Sequence, residues 1–345
     1  MFKKLQLQVI TLLAVTTSLF SCNTIPEPNV ENNDGSAVTT NNNSSIKNRP
    51  FAIATTNVLC DLTKQVAAKT IDLKCLIGAG QDPHVYQPKP EDRKAIATAD
   101  LILYGGYGFE PSIIKLLEAS KNQAPKFAVH EVAVSKPIMG EAGDHNHGHE
   151  HEGEKHTEEA TPDPHVWHDA QNGIRMVEVV KNKLGKVSPG NIQLYASNAE
   201  KITNELKQID SWIKSQVATI PENQRELVTI HSALGYYVNA YGLKFEGALE
   251  GLSSEEQPTA AKIGELVKKI RKKGVPTVFA ENASNSRLIE RLAKEANVTV
   301  SDRKLYTDGL GEEGSGAETY QKMLITNTRT IVEGLGGKYT AFNEE

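Results

Sequence analysis

The chain has 345 residues, a length that suits two domains of ordinary size. Its formal net charge is −5, so it lacks the basic surface that binding to nucleic acid requires. It contains ten histidines but only three cysteines, and the uneven placement of the histidines is the most informative feature of its composition.

Residues 1–21 are typical of an export signal. Lys3 and Lys4 give a positive start, and residues 7–19 form an apolar core that is too short and too polar to span a membrane. The core ends in Leu-Phe-Ser-Cys, which resembles the bacterial lipobox, so Cys22 is the predicted site of lipid attachment. An ordinary signal peptide with an incidental cysteine is the alternative. We therefore expect an extracytoplasmic lipoprotein, periplasmic and anchored to the cell membrane.

Residues 22–49 are rich in Asn, Ser, Thr and Pro and have no apolar periodicity. Such a segment cannot bury enough surface to fold. We predict that it is a disordered tether with a reach of about 30 Å.

Cys60 and Cys75 are the two remaining cysteines. In an oxidising compartment a disulfide between them would close a loop of about 15 residues and stabilise the fold by about 3 kcal/mol. A disulfide depends on the distance between the two Cα atoms, which the sequence does not supply. The sequence therefore leaves two alternatives for Cys60 and Cys75, a disulfide or two buried free thiols.

Residues 50–188 read as an N-terminal α/β lobe. Short apolar runs predict strands at 51–55, 73–77, 101–104 and 126–129, and amphipathic stretches between them predict helices at 61–69, 90–98 and 111–119. This alternation is typical of a parallel sheet covered by helices. The lobe is interrupted at 138–162 by glycines, acids and five histidines, which we predict to be a disordered loop.

Residues 189–218 are predicted to be a linking helix: they start within a break at Ser188-Pro189-Gly190 and from about Asn191 keep a helical spacing of apolar residues. One continuous helix of about 27 residues would span about 40 Å and join two lobes as a stiff connection. Two shorter packed helices are the alternative.

Residues 219–345 repeat the strand and helix pattern and form the predicted C-terminal lobe. Strands are predicted at 227–230, 276–280 and 298–300, and helices at 233–241, 259–272, 284–296 and 318–333. The expected fold class is α/β, with two lobes built on parallel-rich sheets, a long rigid helix between them and a ligand site in the cleft.

The tripeptide Asp-Pro-His occurs twice, ending at His84 and at His165. Proline stiffens the backbone before each imidazole. Asp82 and Asp163 could each accept a hydrogen bond from the ring nitrogen that faces away from a metal, although the sequence does not show that they reach it. His231 directly follows a predicted strand, and ligands bind beyond the carboxyl ends of parallel strands. Imidazoles together with a carboxylate form a suitable tetrahedral set for zinc.

Four stretches carry a resemblance to a known family: GAGQDPHVYQPKPEDRKAIATADLILYGG, DPHVWHDAQNGIRM, LVTIHSALGYYVNAYGL and LYTDGLGEEGSGAETYQKM. Together they cover nearly all of residues 50–335. The chain resembles the metal-binding lipoproteins of ABC importers, the zinc- and manganese-specific solute-binding proteins of cluster A-I (cluster 9), and among them most resembles the zinc-specific members. The resemblance implies a monomer that catalyses nothing and delivers a metal ion to a membrane permease.

Carried over by the resemblance, the metal ligands are His84, His165, His231 and Asp308. The manganese-specific relatives typically have Glu in place of His231. Three imidazoles suit zinc better than manganese, so Zn²⁺ is the expected cargo, and a manganese-specific or broad-specificity component stays the alternative.

The other histidines receive different predictions. His130 and His168 are expected to be structural or surface residues, and Glu110 and Glu281, near apparent strand ends, to be solvated carboxylates. The loop histidines are expected to bind zinc weakly and to collect it or sense its supply, with a solvated spacer as the alternative. These loop residues are His145, His147, His149, His151 and His156.

Three other functions compete with metal delivery. A zinc hydrolase with Asp308 as its base is disfavoured because the chain has no H-E-x-x-H motif. A surface adhesin with a structural metal would unfold without the metal, whereas a transport protein would stay folded. A metal buffer built on the His-rich loop would show several weak sites and no tight one.

Overall fold

The computed structural model describes residues 49–140, 160–254 and 258–343. The predicted signal segment 1–21, Cys22 and all but the last residue of the predicted tether 22–49 lie outside the described residues. The five loop histidines also lie outside them: His145, His147, His149, His151 and His156.

A four-stranded parallel sheet forms the N-terminal half. Its strands are β1 (Phe51–Ala54), β2 (Asp72–Cys75), β3 (Leu101–Tyr104) and β4 (Lys126–Ala128). They lie in the spatial order β2-β1-β3-β4. All four predicted strands are confirmed, with ends that differ by at most two residues. The helices between them are α1 (Asn57–Ala67), α2 (Pro90–Thr98) and α3 (Pro111–Ala119).

Local sequence explains where these helices begin. Helices α2 and α3 begin at the predicted residues, because a proline at the first helical position has a φ that fits the helix and lacks only an N–H that would be unpaired there. Helix α1 begins four residues earlier than predicted. The Thr56 side chain caps it by accepting a hydrogen bond from the Leu59 backbone N–H.

Two short elements flank the His-rich segment. After helix α4 (Val129–Ala133), strand β5 (Met139–Gly140) pairs antiparallel with strand β6 (Thr161–Pro162). The prediction of disorder over 138–162 is therefore wrong at both ends of that range. Backbone pairing there brings the two ends of the segment together.

Two long helices follow, α5 (Ala170–Val187) and α6 (Ile192–Val217). A 3₁₀ turn at Pro189–Asn191 separates them, where the sequence predicted a break. Helix α6 is one continuous helix of 26 residues, which confirms the single long helix and excludes two shorter ones. Its buried positions include Leu206, Ile209 and Ile213, which share one face because they are three or four residues apart.

The C-terminal half contains two pairs of parallel strands. The strands are β7 (Glu226–Thr229) paired with β8 (Lys244–Ala248), and β9 (Thr277–Val278) paired with β10 (Thr299–Val300). A backbone hydrogen bond from Phe279 to Val228 joins the two pairs. The helices are α7 (Gly235–Tyr241), α8 (Ala260–Lys273), α9 (Ser286–Ala296) and α10 (Tyr320–Gly334). Strand β8 was not predicted, because its apolar residues are few and it is only half-buried.

The largest hydrophobic core is shared by both halves. It includes Leu59 of α1, Leu103 of β3, Ile209 of α6 and Leu324 of α10, all fully buried. Two smaller cores lie within the C-terminal half and on the N-terminal sheet. Helix α6 therefore packs into a core that holds the two lobes together.

Cys60 of α1 and Cys75 of β2 form a disulfide, with their Cα atoms 5.7 Å apart. The bond links the first helix to the edge strand of the N-terminal sheet.

No helix in the described part of the chain is long and apolar enough to cross a bilayer.

Candidate metal centre

His84 lies in the irregular segment between β2 and α2. Its backbone N–H donates a 2.9 Å hydrogen bond to Asp82 Oδ1, which fixes the turn of the first Asp-Pro-His tripeptide. The other oxygen of Asp82 accepts a hydrogen bond from the Ser254 hydroxyl, in the C-terminal half. The His84 ring is 4% exposed and packs edge-on against Phe109, with ring centroids 5.1 Å apart.

His165 repeats this turn with one addition. Asp163 Oδ1 accepts the His165 backbone N–H at 2.9 Å and also the ring Nδ1–H at 2.8 Å. Because the carboxylate holds the proton on Nδ1, the neutral ring presents the lone pair of Nε2. The second Asp-Pro-His tripeptide therefore orients its own imidazole.

His231 lies two residues after β7 and is held by Glu281, which lies three residues after β9. Glu281 Oε1 accepts the backbone N–H groups of Ile230 and His231 at 2.8 and 3.0 Å, and Glu281 Oε2 lies 2.5 Å from His231 Nδ1. Both side chains are fully buried. Strands β7 and β9 belong to the two strand pairs joined by the bond from Phe279 to Val228, and the residues after these strands meet through the hydrogen bonds to Glu281.

Asp308 lies in a loop that both halves hold. On the C-terminal side, Leu305 donates its backbone N–H to Ala280 O at 2.8 Å. On the N-terminal side, the Asn57 side chain accepts the Leu310 backbone N–H at 2.9 Å. Asp308 is 2% exposed, and its Oδ2 has no hydrogen-bond partner among the described residues.

The four side chains converge on one point. Asp308 Oδ1 lies 3.1 Å from His231 Nε2, 3.4 Å from His165 Nε2 and 3.5 Å from His84 Nε2. His84 Nε2 and His165 Nε2 are 3.3 Å apart. Ligands at about 2.0–2.1 Å from a tetrahedral zinc ion are separated from each other by about 3.3–3.4 Å. These four of the six separations among the ligand atoms are close to those edges.

The pKa values of these side chains result from two opposing effects, burial and the interactions with neighbouring charged groups. Burial lowers the pKa of His231, but attraction to Asp308 and Glu281 outweighs it, so the pKa lies well above the usual value. Burial also lowers the pKa of His165, but hydrogen bonds to Asp163 and Asp308 outweigh it, so the pKa lies above the usual value. Burial would raise the pKa of Asp308, yet His231 and hydrogen bonds from the imidazoles hold it well below the usual range.

A second layer of buried polar and aromatic residues lies beside this group. Trp167 packs against Phe109, His130 and His168, with ring centroids 4.8, 5.2 and 5.3 Å apart. Burial lowers the pKa of both His130 and His168 to about 3, so both rings are neutral at physiological pH. Both histidines are fully buried, so the surface alternative is wrong for each of them.

The structure brings the four sequence-predicted side chains together. Among the described residues, His84, His165, His231 and Asp308 are the sole group of three or more His, Cys, Asp or Glu close enough to share an ion, with ligand atoms within 4.8 Å of one another.

The prediction that Glu110 and Glu281 are solvated is wrong, because both are fully buried. The orienting role of Glu281 was missed. The one available signal was its position just after the strand 276–280, at the same predicted sheet edge as His231. Glu110 instead accepts hydrogen bonds from Thr55 Oγ1 at 2.7 Å and from the Gly105 backbone N–H at 2.6 Å.

Three imidazoles and a carboxylate, buried together within a two-lobed α/β fold, are a ligand set suited to a divalent metal ion. A family model matches residues 53–334, and the chain belongs to this family, the zinc-uptake complex component A, periplasmic (ZnuA).

Characterised relatives agree with this membership. The chain is 32% identical to the manganese-binding lipoprotein MntA of Halalkalibacterium halodurans, over 81% of this chain and 86% of the relative. It is 31% identical to the manganese ABC transporter substrate-binding lipoprotein PsaA of Streptococcus pneumoniae, over 82% of this chain and 88% of the relative.

Solved structures share the fold. The periplasmic zinc binding protein TroA from Treponema pallidum superposes with a TM-score of 0.74 and 28% sequence identity, covering 83% of this chain and 99% of that one. The chain is therefore the extracytoplasmic, metal-binding substrate-binding component of an ABC transporter, whose partner is a membrane permease. The family supplies solute-binding proteins and not enzymes, which rules against the hydrolase alternative.

Proposed function

We propose that this protein captures Zn²⁺ outside the cytoplasm, holds it between His84, His165, His231 and Asp308, and delivers it to the permease of an importer for high-affinity uptake. The observation that carries the proposal is the set of separations of 3.1–3.5 Å between these side chains. These four separations are close to four of the six edges of a zinc-centred tetrahedron, and all the ligand atoms lie within 4.8 Å of one another.

The choice of zinc follows from the ligand atoms. Three nitrogen ligands and one carboxylate suit Zn²⁺, whereas Mn²⁺ prefers oxygen ligands in a six-coordinate arrangement. The four side chains are 0–4% exposed, which favours a closed site over one with room for several waters. The name of TroA, a zinc binding protein, supports this choice.

Manganese is the second candidate, and it has its own support. The relatives MntA and PsaA are named for manganese, and the Oδ2 atom of Asp308 offers a further oxygen ligand. If that atom also binds, the site gains the additional coordination that manganese favours.

Attachment to the membrane is a further part of the proposal. We infer that Cys22 carries the lipid and that residues 23–49 tether a monomer near its permease. The metal ABC transporter substrate-binding lipoprotein SsaB of Streptococcus sanguinis aligns with 96% of this chain at 29% identity, which supports a lipoprotein. Metabolic labelling with a fatty acid tests it: the wild type incorporates label and Cys22→Ser does not.

The loop histidines are proposed as weak secondary zinc sites that gather metal for the tight one. Deleting residues 141–160 should lower zinc uptake at limiting metal without changing the affinity of the tight site. Unchanged uptake would remove the collecting role.

Titration calorimetry tests the main proposal. Metal-free protein is titrated with Zn²⁺ and separately with Mn²⁺, and both titrations are repeated with His231→Ala. The expected result is one tight zinc site that weakens sharply in the variant, with much weaker manganese binding. Equally tight manganese binding would favour the second candidate, and the absence of a tight site for either metal would contradict the ligand set.

A further inference from the structure

His168 connects the backbone segments that carry two of the proposed ligands. It ends the 3₁₀ turn Val166–His168 that directly follows His165. Its Nε2 lies 2.8 Å from the backbone carbonyl oxygen of Thr307, the residue before Asp308. Because a carbonyl can only accept, the proton is on Nε2 and His168 is the donor. One hydrogen bond therefore spans from the N-terminal half to the loop of Asp308.

Thr307 is also held from the other side. Its hydroxyl lies 3.3 Å from Glu281 Oε2, the oxygen that faces His231 Nδ1. The carbonyl and hydroxyl of Thr307 thus connect the segments that carry three proposed ligands: His165, His231 and Asp308. His84 belongs to a separate turn held by Asp82.

Packing alone does not explain an imidazole at this position. His168 is fully buried, and its Nδ1 has no hydrogen-bond partner among the described residues. Burying an unpaired polar atom is unfavourable, so an apolar ring would fill the same space at a lower free-energy cost. The bond to Thr307 is the interaction that an apolar ring cannot make.

We infer that His168 is a positioning residue, which holds the Asp308 carboxylate at the distance from His165 that a tetrahedral metal ion requires. The inference rests on the proposed zinc site and adds to it a determinant outside the four ligands. Groups that orient ligands in this way set metal affinity because a misplaced ligand must be moved before it can bind.

Three substitutions separate the hydrogen bond from packing. His168→Gln places an amide N–H near the position of Nε2, whereas His168→Asn carries the same amide on a shorter side chain that does not reach Thr307. His168→Phe keeps a ring without a donor. His130→Phe is the matched control, because His130 is an equally buried histidine whose ring packs on Phe109 and Trp167.

The measurements use the full chain. Zinc affinity is determined by competition with a fluorescent zinc chelator, and coordination geometry by the visible absorption of the Co²⁺-loaded protein, which is intense for four-coordinate sites. We expect His168→Phe and His168→Asn to weaken zinc binding about tenfold and to reduce the Co²⁺ absorption. His168→Gln and His130→Phe should stay close to the wild type in both.

The outcomes keep this inference apart from the proposed function. No tight zinc binding by the wild type would contradict the proposed function itself. A tight wild-type site with unchanged affinity and spectrum in the Asn and Phe variants would overturn the role of His168 alone. Equal losses in His168→Gln, His168→Asn and His130→Phe would show that packing is responsible, and would also overturn it. If His168→Phe does not fold, the comparison of Gln with Asn decides.

Discussion

At the scale of single residues, the proposed ligands differ in how firmly they are held. Asp163 and Glu281 each accept a hydrogen bond from the ring Nδ1 of a ligand, His165 and His231 respectively. For His84, the turn is held through its backbone N–H by Asp82. Carboxylates that accept from Nδ1 fix the tautomer and raise the basicity of the ligand atom.

Removing the charge of Glu281 should therefore weaken the site. We expect Glu281→Gln to reduce zinc affinity by about 10- to 100-fold, because His231 loses the partner that orients it. Chelator competition measures the change. Glu265→Gln, an exposed carboxylate on α8, is the control and should leave affinity unchanged. An unchanged affinity in Glu281→Gln would contradict the orienting role.

Glu110 provides a prediction about pH. Burial raises the pKa of Glu110, against the hydrogen bonds from Thr55 and Gly105 that lower it. The carboxyl releases its proton at lower pH in the unfolded chain than in the folded one, so its contribution to stability is full below the ordinary pKa of 4.5 and falls as pH rises through the raised value.

Glu110→Gln should remove that dependence. The free energy of unfolding of the variant, relative to the wild type, is expected to increase as the pH rises from about 4 toward neutral, since the wild type alone loses this contribution. Urea unfolding at several pH values gives the difference. A difference that is constant with pH would show that Glu110 does not titrate differently on folding.

At the scale of elements, α6 carries the connection between the lobes through one apolar face. Leu206 on that face is fully buried, whereas Leu194 in the first turn is 40% exposed. We expect Leu206→Ala to reduce the free energy of unfolding by about 2–5 kcal/mol through the lost burial and the cavity left behind. Leu194→Ala is the control on the same helix and should change it much less. Urea unfolding of the metal-free protein measures both, and similar losses would contradict the assigned face.

The disulfide is a second element-scale feature, since it fixes α1 to β2. Reducing Cys60–Cys75 should lower the free energy of unfolding by about 3 kcal/mol, because the unfolded chain is no longer restricted by a closed loop. Urea unfolding with and without reductant tests this. Cys75→Ser cannot form the disulfide, so reductant should not change its free energy of unfolding. If reductant also leaves the free energy of unfolding of the wild type unchanged, the disulfide contributes nothing to stability.

At the scale of the whole molecule, the shared core predicts that the protein folds without metal. Residues from both halves and from α6 belong to that core, so folding does not depend on the four ligands alone. Bound zinc should add stability by mass action, about 2.7 kcal/mol at a free concentration 100 times the Kd. Thermal unfolding with zinc and with chelator measures the increase. A protein that unfolds when stripped would instead have a structural metal, as the adhesin alternative requires.

Local sequence determined most of the elements. Runs of apolar residues with strand or helix spacing, and prolines at helix starts, were enough to predict α2, α3 and the long helix α6. Prediction failed where tertiary contacts decide. Strand β8 has few apolar residues of its own and is stabilised by pairing with β7, and β5 and β6 exist only because they pair with each other.

The candidate site likewise divides into features that local sequence predicts and features that tertiary contacts decide. The repeated Asp-Pro-His tripeptide and the family resemblance indicated the four ligands, because residue type and local turns depend only on residues that are adjacent in the chain. The roles of Glu281 and His168 depend on partners 50 and 139 residues away in the chain. The sequence by itself thus determined which groups are chemically able to bind a metal ion. Only the tertiary structure decided which side chains orient them, because hydrogen bonds act over a few ångströms in space, whatever the distance along the chain.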